Sequence, residues 1–341
     1  MEANRSQKHI EIWLWGMIFM VFLMVLIGGI TRLTDSGLSM VDWRPLMGAI
    51  PPLTDIEWNK VFTDYKAFPE YKVINKGMSL SEFKYIFFWE YFHRLWGRLI
   101  GLVFFIPFVI FYFKKYFTKS LTKKLCIAFL LGGMQGLMGW YMVKSGLVNK
   151  PDVSHYRLAA HLTLAFSIIG YIFWLLLELK YPHYKYNQHK KLKAPLVLFL
   201  FVLILQIVYG GFVAGLDAGL TYNTFPKMGQ GWIPRDSMFM TPYWVNLFEN
   251  TGTIQFIHRC MGWLLLFLGT YLFISSRSEN DFLQRKSFQF IGICLIFQFL
   301  LGVLTIVNYV PVSIASMHQI GACLLLLLTL RAVFFTFKTK V

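Results

Sequence analysis

The chain has 341 residues, 56% of them hydrophobic and 18% aromatic, with a positive mean hydropathy; this composition excludes an ordinary soluble domain. A formal net charge of +16 does not point to nucleic acid, because the lysines are gathered in short stretches between apolar runs. Eight such runs are long enough to span a bilayer, and only helices satisfy their own backbone there.

The first run covers 12–31. It is too long and too weakly flanked for a cleaved signal peptide, and no Arg- and Ser-rich presequence precedes it. A charge-balanced loop, 32–85, exceeds an ordinary connection and is expected to act as a lid or docking surface. Runs at 86–113, 125–143, 157–179 and 195–216 follow, then 253–275, 288–310 and 314–336. KKYFTKSLTKK (114–124) and KYPHYKYNQHKKLK (180–193) each hold five lysines and no acid, and smaller basic clusters lie at 277–286 and 331–340. These are alternate connections, so the positive-inside rule puts them, and both termini, in the cytoplasm, with a secondary affinity for anionic lipid. The expected fold is an all-α polytopic membrane protein in a bacterial inner membrane. Cys126, Cys260, Cys294 and Cys323 all fall within the runs and form no CxxC or disulfide framework.

The two halves resemble each other. IGGITRLTDSGL (27–38) is echoed by YGGFVAGLDAGL (209–220): Gly28, Gly29, Asp35, Gly37 and Leu38 match Gly210, Gly211, Asp217, Gly219 and Leu220 at a constant offset of 182. Pro45, Met47 and Gly48 answer Pro226, Met228 and Gly229. FHRLWG (92–97) answers IHRCMG (257–262), and QGLMG (135–139) answers QFLLG (298–302). Four helices per repeat bring both halves in and out on one side, so they are expected to be parallel repeats. That divides the chain into a four-helix bundle over 1–180, a basic linker over 181–193 and a second bundle over 194–341.

Each bundle carries two histidines, His93 and His161 in the first, His258 and His318 in the second. All four fall within the first eight residues of the even-numbered runs, which puts them within about 10 Å of the extracytoplasmic end. One membrane histidine commonly does no more than bridge two helices. Four, paired by half and matched in depth, point to metal or heme iron gripped between facing helices. Small residues one turn on (Gly97, Ala165, Gly262 and Ala322) share a face with the histidines and leave room for a flat macrocycle, although small residues also serve helix packing. Two histidines without a Cys or carboxylate mate make a poor structural zinc site. Bis-histidine heme, one per half, is the better fit. His9, His183 and His189 lie among cytoplasmic charges and are read as solvated, whereas His155 is expected in a short outer loop before the fourth run and is a candidate for approaching a heme edge.

The halves share these histidines but not one carboxylate. Three residues before His93 stands Glu90; three before His258 stands Gln255. A carboxylate beside a heme in a low-dielectric pocket is suited to proton chemistry and an amide is not, so the N-terminal site reads as reactive and the C-terminal one as passive. An ion pair with Arg94, at i+4, is the competing role for Glu90. Arg94 has a counterpart in Arg259, and pairing with a heme propionate would account for both arginines.

Together, GGITRLTDSGLSMVDWRPLMGAIPP, WEYFHRLWGRLIG, AAHLTLA, IQFIHRCMGW and SMHQIGA, in this order over about 12–335, resemble the heme A synthase family. The resemblance implies oxidation of the C8 methyl of heme O to a formyl group by two successive hydroxylations. It implies a substrate iron held by His93 and His161, a resident heme b on His258 and His318, and a catalytic Glu90. Heme O synthase and an electron acceptor are implied as partners. Residues 32–85 contain no cysteine, so the paired thiols of some family members have no counterpart and the chain is similar to the cysteine-free, long-loop branch. Two other readings compete. Ligands at one depth argue against a transmembrane diheme electron-transfer cytochrome, and a heme carrier would leave Glu90 without a task.

Overall fold

The computed structural model describes residues 2–41, 50–146, 153–184 and 190–338. It is helical throughout, with no strand among the described residues; the order is α1 (Glu2–Leu33), α2 (Asp55–Lys66), α3 (Pro69–Val73), α4 (Leu80–Phe113), α5 (Lys119–Gly146), α6 (His155–Lys180), α7 (Lys193–Gly215), α8 (Asn246–Glu249), α9 (Thr251–Ser275), α10 (Phe282–Val307) and α11 (Val312–Phe337). Eight of these, α1, α4 to α7 and α9 to α11, are long and apolar enough to cross a membrane. Each of the eight apolar runs lies largely on one of them.

Helices α1, α6, α7 and α11 form the middle of the molecule. They pack on one another and share a continuous core that includes Leu14, Ile169, Leu196, Phe199, Cys323 and Phe335. Around them α4 packs on α1, α5 on α6, α9 on α7 and α10 on α11, so each half has two inner and two outer helices. The inner pairs meet closely because glycine lines the seam. A methyl group on Gly211 of α7 would stand 2.7 Å from the Ala159 backbone of α6. Small residues serve this purpose in membranes, where the apolar solvent supplies no hydrophobic drive for helices to associate.

One boundary differs from expectation in a way that matters. Helix α4 begins at Leu80, six residues before the apolar run, behind a capping box in which Ser79 and Glu82 satisfy each other's backbone N–H groups. Counted from there, His93 is the fourteenth residue of its helix, while His161, His258 and His318 are the seventh, eighth and seventh of theirs. The two extra turns of α4 carry Phe83, Ile86 and Phe87, which close a small separate core with Met40, Phe62 and Tyr65. Helix α2 therefore sits on the extension as a cap, its own start fixed by a second capping box at Thr54 and Glu57. Inside it the buried Tyr65 hydroxyl donates to Glu70 at 2.9 Å and accepts from Asn75 at 2.7 Å. The loop thus has a folded interior over its described part. Pro45, Met47 and Gly48 lie outside the described residues.

The turns that follow α1 and α7 match in detail. Asp35 and Asp217 both adopt the left-handed conformation at φ 49°, which Asp tolerates better than most residues. Arg32 donates to both carboxylates, at 2.8 and 2.9 Å, and so ties the end of α1 to the end of α7.

Candidate heme sites and the Glu90 turn

Each of the four histidine rings lies over a glycine of a neighbouring helix. A Cβ built on Gly28 of α1 would stand 3.5 Å from His93, and one on Gly210 of α7 would stand 3.4 Å from His258. The corresponding distances are 3.1 Å from Gly139 of α5 to His161 and 2.9 Å from Gly302 of α10 to His318. Gly97 faces the Met24 methyl and Gly262 faces the Gln206 amide.

His258 and His318 face each other with ring centroids 6.5 Å apart and planes at 75°. Two imidazoles bound on opposite sides of one metal ion, with bonds of about 2 Å, place their centroids about 6 Å apart. His93 and His161 are likewise close enough to interact electrostatically. His161, His258 and His318 each have a glutamine beside them. The Gln298 side chain donates to the His318 carbonyl at 2.8 Å, and the Gln298 backbone carbonyl lies 3.1 Å from His318 Nδ1. That contact assigns the proton to Nδ1 and leaves Nε2 bare for a metal, the usual second-shell arrangement. The amide nitrogens of Gln135 and Gln206 lie 3.2 Å from Nε2 of His161 and His258.

Polar atoms without partners gather at these rings. His161 Nδ1, His258 Nδ1 and the side-chain oxygens of Gln135, Gln206 and Gln298 are buried and unsatisfied. Buried polar groups are normally paired, so such a cluster marks a place where something else binds. No group of three or more His, Cys, Asp or Glu side chains suited to a bare metal ion exists among the described residues. Paired neutral imidazoles between apolar helices, backed by glycine, fit an iron porphyrin.

Glu90 is buried beside the first pair. Its Oε2 accepts from Ser39 Oγ and from the Met40 backbone N–H, each at 2.7 Å, and its Oε1 pairs with Arg94. Arg94 also donates to the Met40 carbonyl at 3.0 Å. The ion pair weighed as the competing role for Glu90 is therefore present, as one of three contacts. The second half repeats the layout with reversed polarity. Gln255 is also buried, and its amide donates to the carbonyls of Tyr222 and Gly219 at 3.1 and 3.4 Å. Arg259 donates to the carbonyls of Tyr222 at 2.7 Å and Thr224 at 2.8 Å. Tyr222 stands at the same offset of 182 from Met40 that relates the glycine motifs. Sequence reading missed Ser39, Met40, the cradle glycines and the glutamines as parts of the site, although several of them stand inside the repeated motifs.

His155 is buried at the start of α6 between Tyr156 and Phe212, with Nε2 3.9 Å from Glu249. His9 and His183 are exposed, with His9 stacked on Tyr116; His189 lies outside the described residues.

Compared with known proteins, residues 11–330 match the cytochrome oxidase assembly protein family. The chain is 47% identical to a heme A synthase of Nitrosospira multiformis over 323 residues, covering 94% of this chain and 91% of the relative. It is 43% identical to a heme A synthase of Paramagnetospirillum magneticum, covering 97% and 94%, and 44% identical to one of Pelagibacter ubique, covering 94% of each. The chain belongs to the heme A synthase family. Its eight apolar helices make it a multi-pass membrane protein.

Proposed function

We propose that this chain oxidises the C8 methyl group of heme O to a formyl group, producing heme A for terminal oxidases. The observation that carries this reading is the exchange of a carboxylate for an amide at matched positions, Glu90 against Gln255, each docked by the same backbone position of the preceding turn. In this reading His93 and His161 hold the substrate iron and His258 and His318 hold heme b. The helices through residue 180 form the substrate bundle and those from 194 the heme b bundle, joined by the basic segment 181–193. Both termini face the cytoplasm of a bacterial cell, and the histidine end faces away from it.

Two successive hydroxylations take the methyl group to a hydroxymethyl and then to a gem-diol, which loses water to the aldehyde; each removes two electrons. Bound heme b supplies a one-electron relay toward an acceptor. The chain's own residues position and handle protons. Glu90 takes up a proton released at the reacting carbon, at a buried position where a carboxylate acts without competition from bulk water. Arg94 and Arg259 bind their turns to the histidine helices and also offer guanidinium groups to heme propionates. Heme O synthase is the expected supplier of substrate.

The test is the identity of the hemes that copurify with the chain in a host that makes heme O, with Glu90→Gln alongside. Heme b with heme A or a hydroxylated heme O, the oxidised forms being lost in the variant, is the expected result. Two molecules of heme b per chain, unchanged by the substitution, would refute it in favour of an electron-transfer cytochrome.

A further inference from the structure

The three partners of Glu90 are not equivalent. A guanidinium and a backbone N–H can only donate hydrogen, whereas a serine hydroxyl both donates and accepts. Arg94 and the Met40 N–H therefore offer no acceptor to a proton arriving on the carboxylate. Ser39 does. Its side chain is buried, and its Oγ lies within reach of three acceptors: Glu90 Oε2 at 2.7 Å, the Ser36 carbonyl at 3.0 Å and the Ile86 carbonyl at 3.4 Å. One hydrogen cannot serve all three, so rotation about the Cβ–Oγ bond chooses among them.

We infer that Ser39 is the positioning residue that lets Glu90 change protonation state, its hydroxyl turning from Glu90 to the Ser36 carbonyl as a proton arrives. The inference deepens the reading of Glu90 as the proton-handling group and rests on it. With Glu90 ionised, Ser39 donates to Oε2. When Oε2 gains a proton, the new O–H donates to Ser39 Oγ, and the serine hydrogen swings to the Ser36 carbonyl. Within the pair the only covalent bond formed is the O–H on Glu90, its proton being the one released at the reacting carbon, and both protonation states keep a complete set of hydrogen bonds. The Met40 N–H continues to donate to a lone pair of Oε2 throughout. The charged and titratable groups facing Glu90 are Arg94 on its own helix and Tyr65 on α2, which interacts with it electrostatically. Neither accepts the proton in this scheme, since the Tyr65 hydroxyl is already committed to Glu70 and Asn75.

The second half lacks the device. Thr221 stands where Ser39 does, at the same offset of 182, but the group opposite is an amide that donates to two carbonyls and has no proton to exchange.

The test uses the full-length, heme-loaded chain in detergent and reads infrared difference spectra on reduction, together with heme A formation as a function of pH. In the unaltered chain a protonated carboxyl band, assigned by its loss in Glu90→Gln, is expected. Ser39→Ala is expected to shift that band to the frequency of an acid without a hydrogen-bond acceptor, or to remove it. The same variant should lower turnover on the order of tenfold or more, within the span of a misplaced acid–base group. Ser39→Thr, which keeps the hydroxyl, should restore both. Heme b content, held at the second histidine pair, reports whether each variant has folded. A band unchanged in Ser39→Ala would overturn the inference, and so would Ser39→Thr behaving like Ser39→Ala in a folded chain. Absence of any Glu90 band in the unaltered chain would overturn it as well. Because the band is read without turnover, a chain that makes no heme A but shows the band and its serine dependence would refute only the proposed reaction.

Discussion

Substituting alanine for the cradle glycines provides a graded test of the histidine sites. At Gly302 the added methyl would stand 2.9 Å from the His318 ring, closer than real Cβ contacts allow, and the ring is hemmed in by its Nδ1 contact with Gln298. At Gly210 the same methyl would stand 3.4 Å from His258, an ordinary contact, and at Gly28 it would stand 3.5 Å from His93. Replacing a helical glycine by alanine gains about 1 kcal/mol, while overpacking a fitted interior costs about 1–3 kcal/mol. Gly302→Ala should therefore lose up to about 2 kcal/mol on balance, a weakening of heme retention at the second pair by up to about thirtyfold. Gly210→Ala and Gly28→Ala should be neutral or slightly stabilising, and Gly139→Ala, at 3.1 Å from His161, should fall between. The assay is heme per chain by extraction, with the low-spin absorbance spectrum and thermal unfolding in detergent measured on the same samples. The order expected for heme loss is Gly302, then Gly139, then the other two together. Equal loss from Gly210→Ala and Gly302→Ala would refute the argument, because their chemistry is the same and only the distance differs.

Three further outcomes follow from contacts elsewhere. Gly211→Ala sets a methyl against the Ala159 backbone, which cannot swing aside as a side chain can; thermal stability should fall by about 1–3 kcal/mol, whereas Gly97→Ala, opposite the flexible Met24 methyl, should not lower it. Tyr65→Phe removes the hydroxyl shared by the buried Glu70 and by Asn75, at about 1–3 kcal/mol to the cap alone; limited proteolysis within 50–78 should accelerate while the long helices stay protected. The Glu57 carboxylate accepts from the Leu53 and Thr54 N–H groups, which hold its pKa below the ordinary value. A depressed folded-state pKa stabilises above the unfolded value and is lost as pH falls through the folded one. The start of α2 should therefore loosen only in acid, below about pH 4, and Glu57→Gln should abolish that dependence in hydrogen exchange.

The eight long helices were legible because the membrane enforces a crude rule, that an apolar run of sufficient length must be a helix. The start of α4 was not. Residues 80–85 look like the tail of a polar loop, and only the Ser79–Glu82 box reveals that the helix begins there. That difference moves His93 two turns down its helix and creates the surface on which α2 rests. The histidines were legible from their pairing by half. Their cradles were visible only as repeated letters: Gly28 with Gly210 and Gly139 with Gly302 stand within echoed motifs, but the ring each receives belongs to another helix. Periodicity along one segment carries no information about which neighbour faces it. For the same reason Ser39 was unreadable, since its partner lies fifty-one residues away.

The contrast between Glu90 and Gln255 gains force from what surrounds it. A carboxylate can only accept, and at Met40 the turn presents its N–H; an amide can donate, and at Tyr222 the turn presents its carbonyl. Both turns also lend that carbonyl to an arginine one helical turn past the side chain in question. The scaffold is therefore common to the halves, with the N–H of one position meeting the carboxylate in the first and the carbonyl of the matching position meeting the amide in the second. If the glutamic acid were only a packing residue, glutamine would serve equally in either half and the turn would have no reason to change polarity with it. The matched change of side chain and turn predicts that Gln255→Glu alone, keeping Arg259 at one oxygen but lacking a backbone donor at the Tyr222 position for the other, will destabilise the second bundle by about 1–3 kcal/mol. Loss of heme b from that variant, with the first site intact, is the expected measurement; full retention of heme b would show that the turn adapts to either group and that its polarity carries no functional meaning.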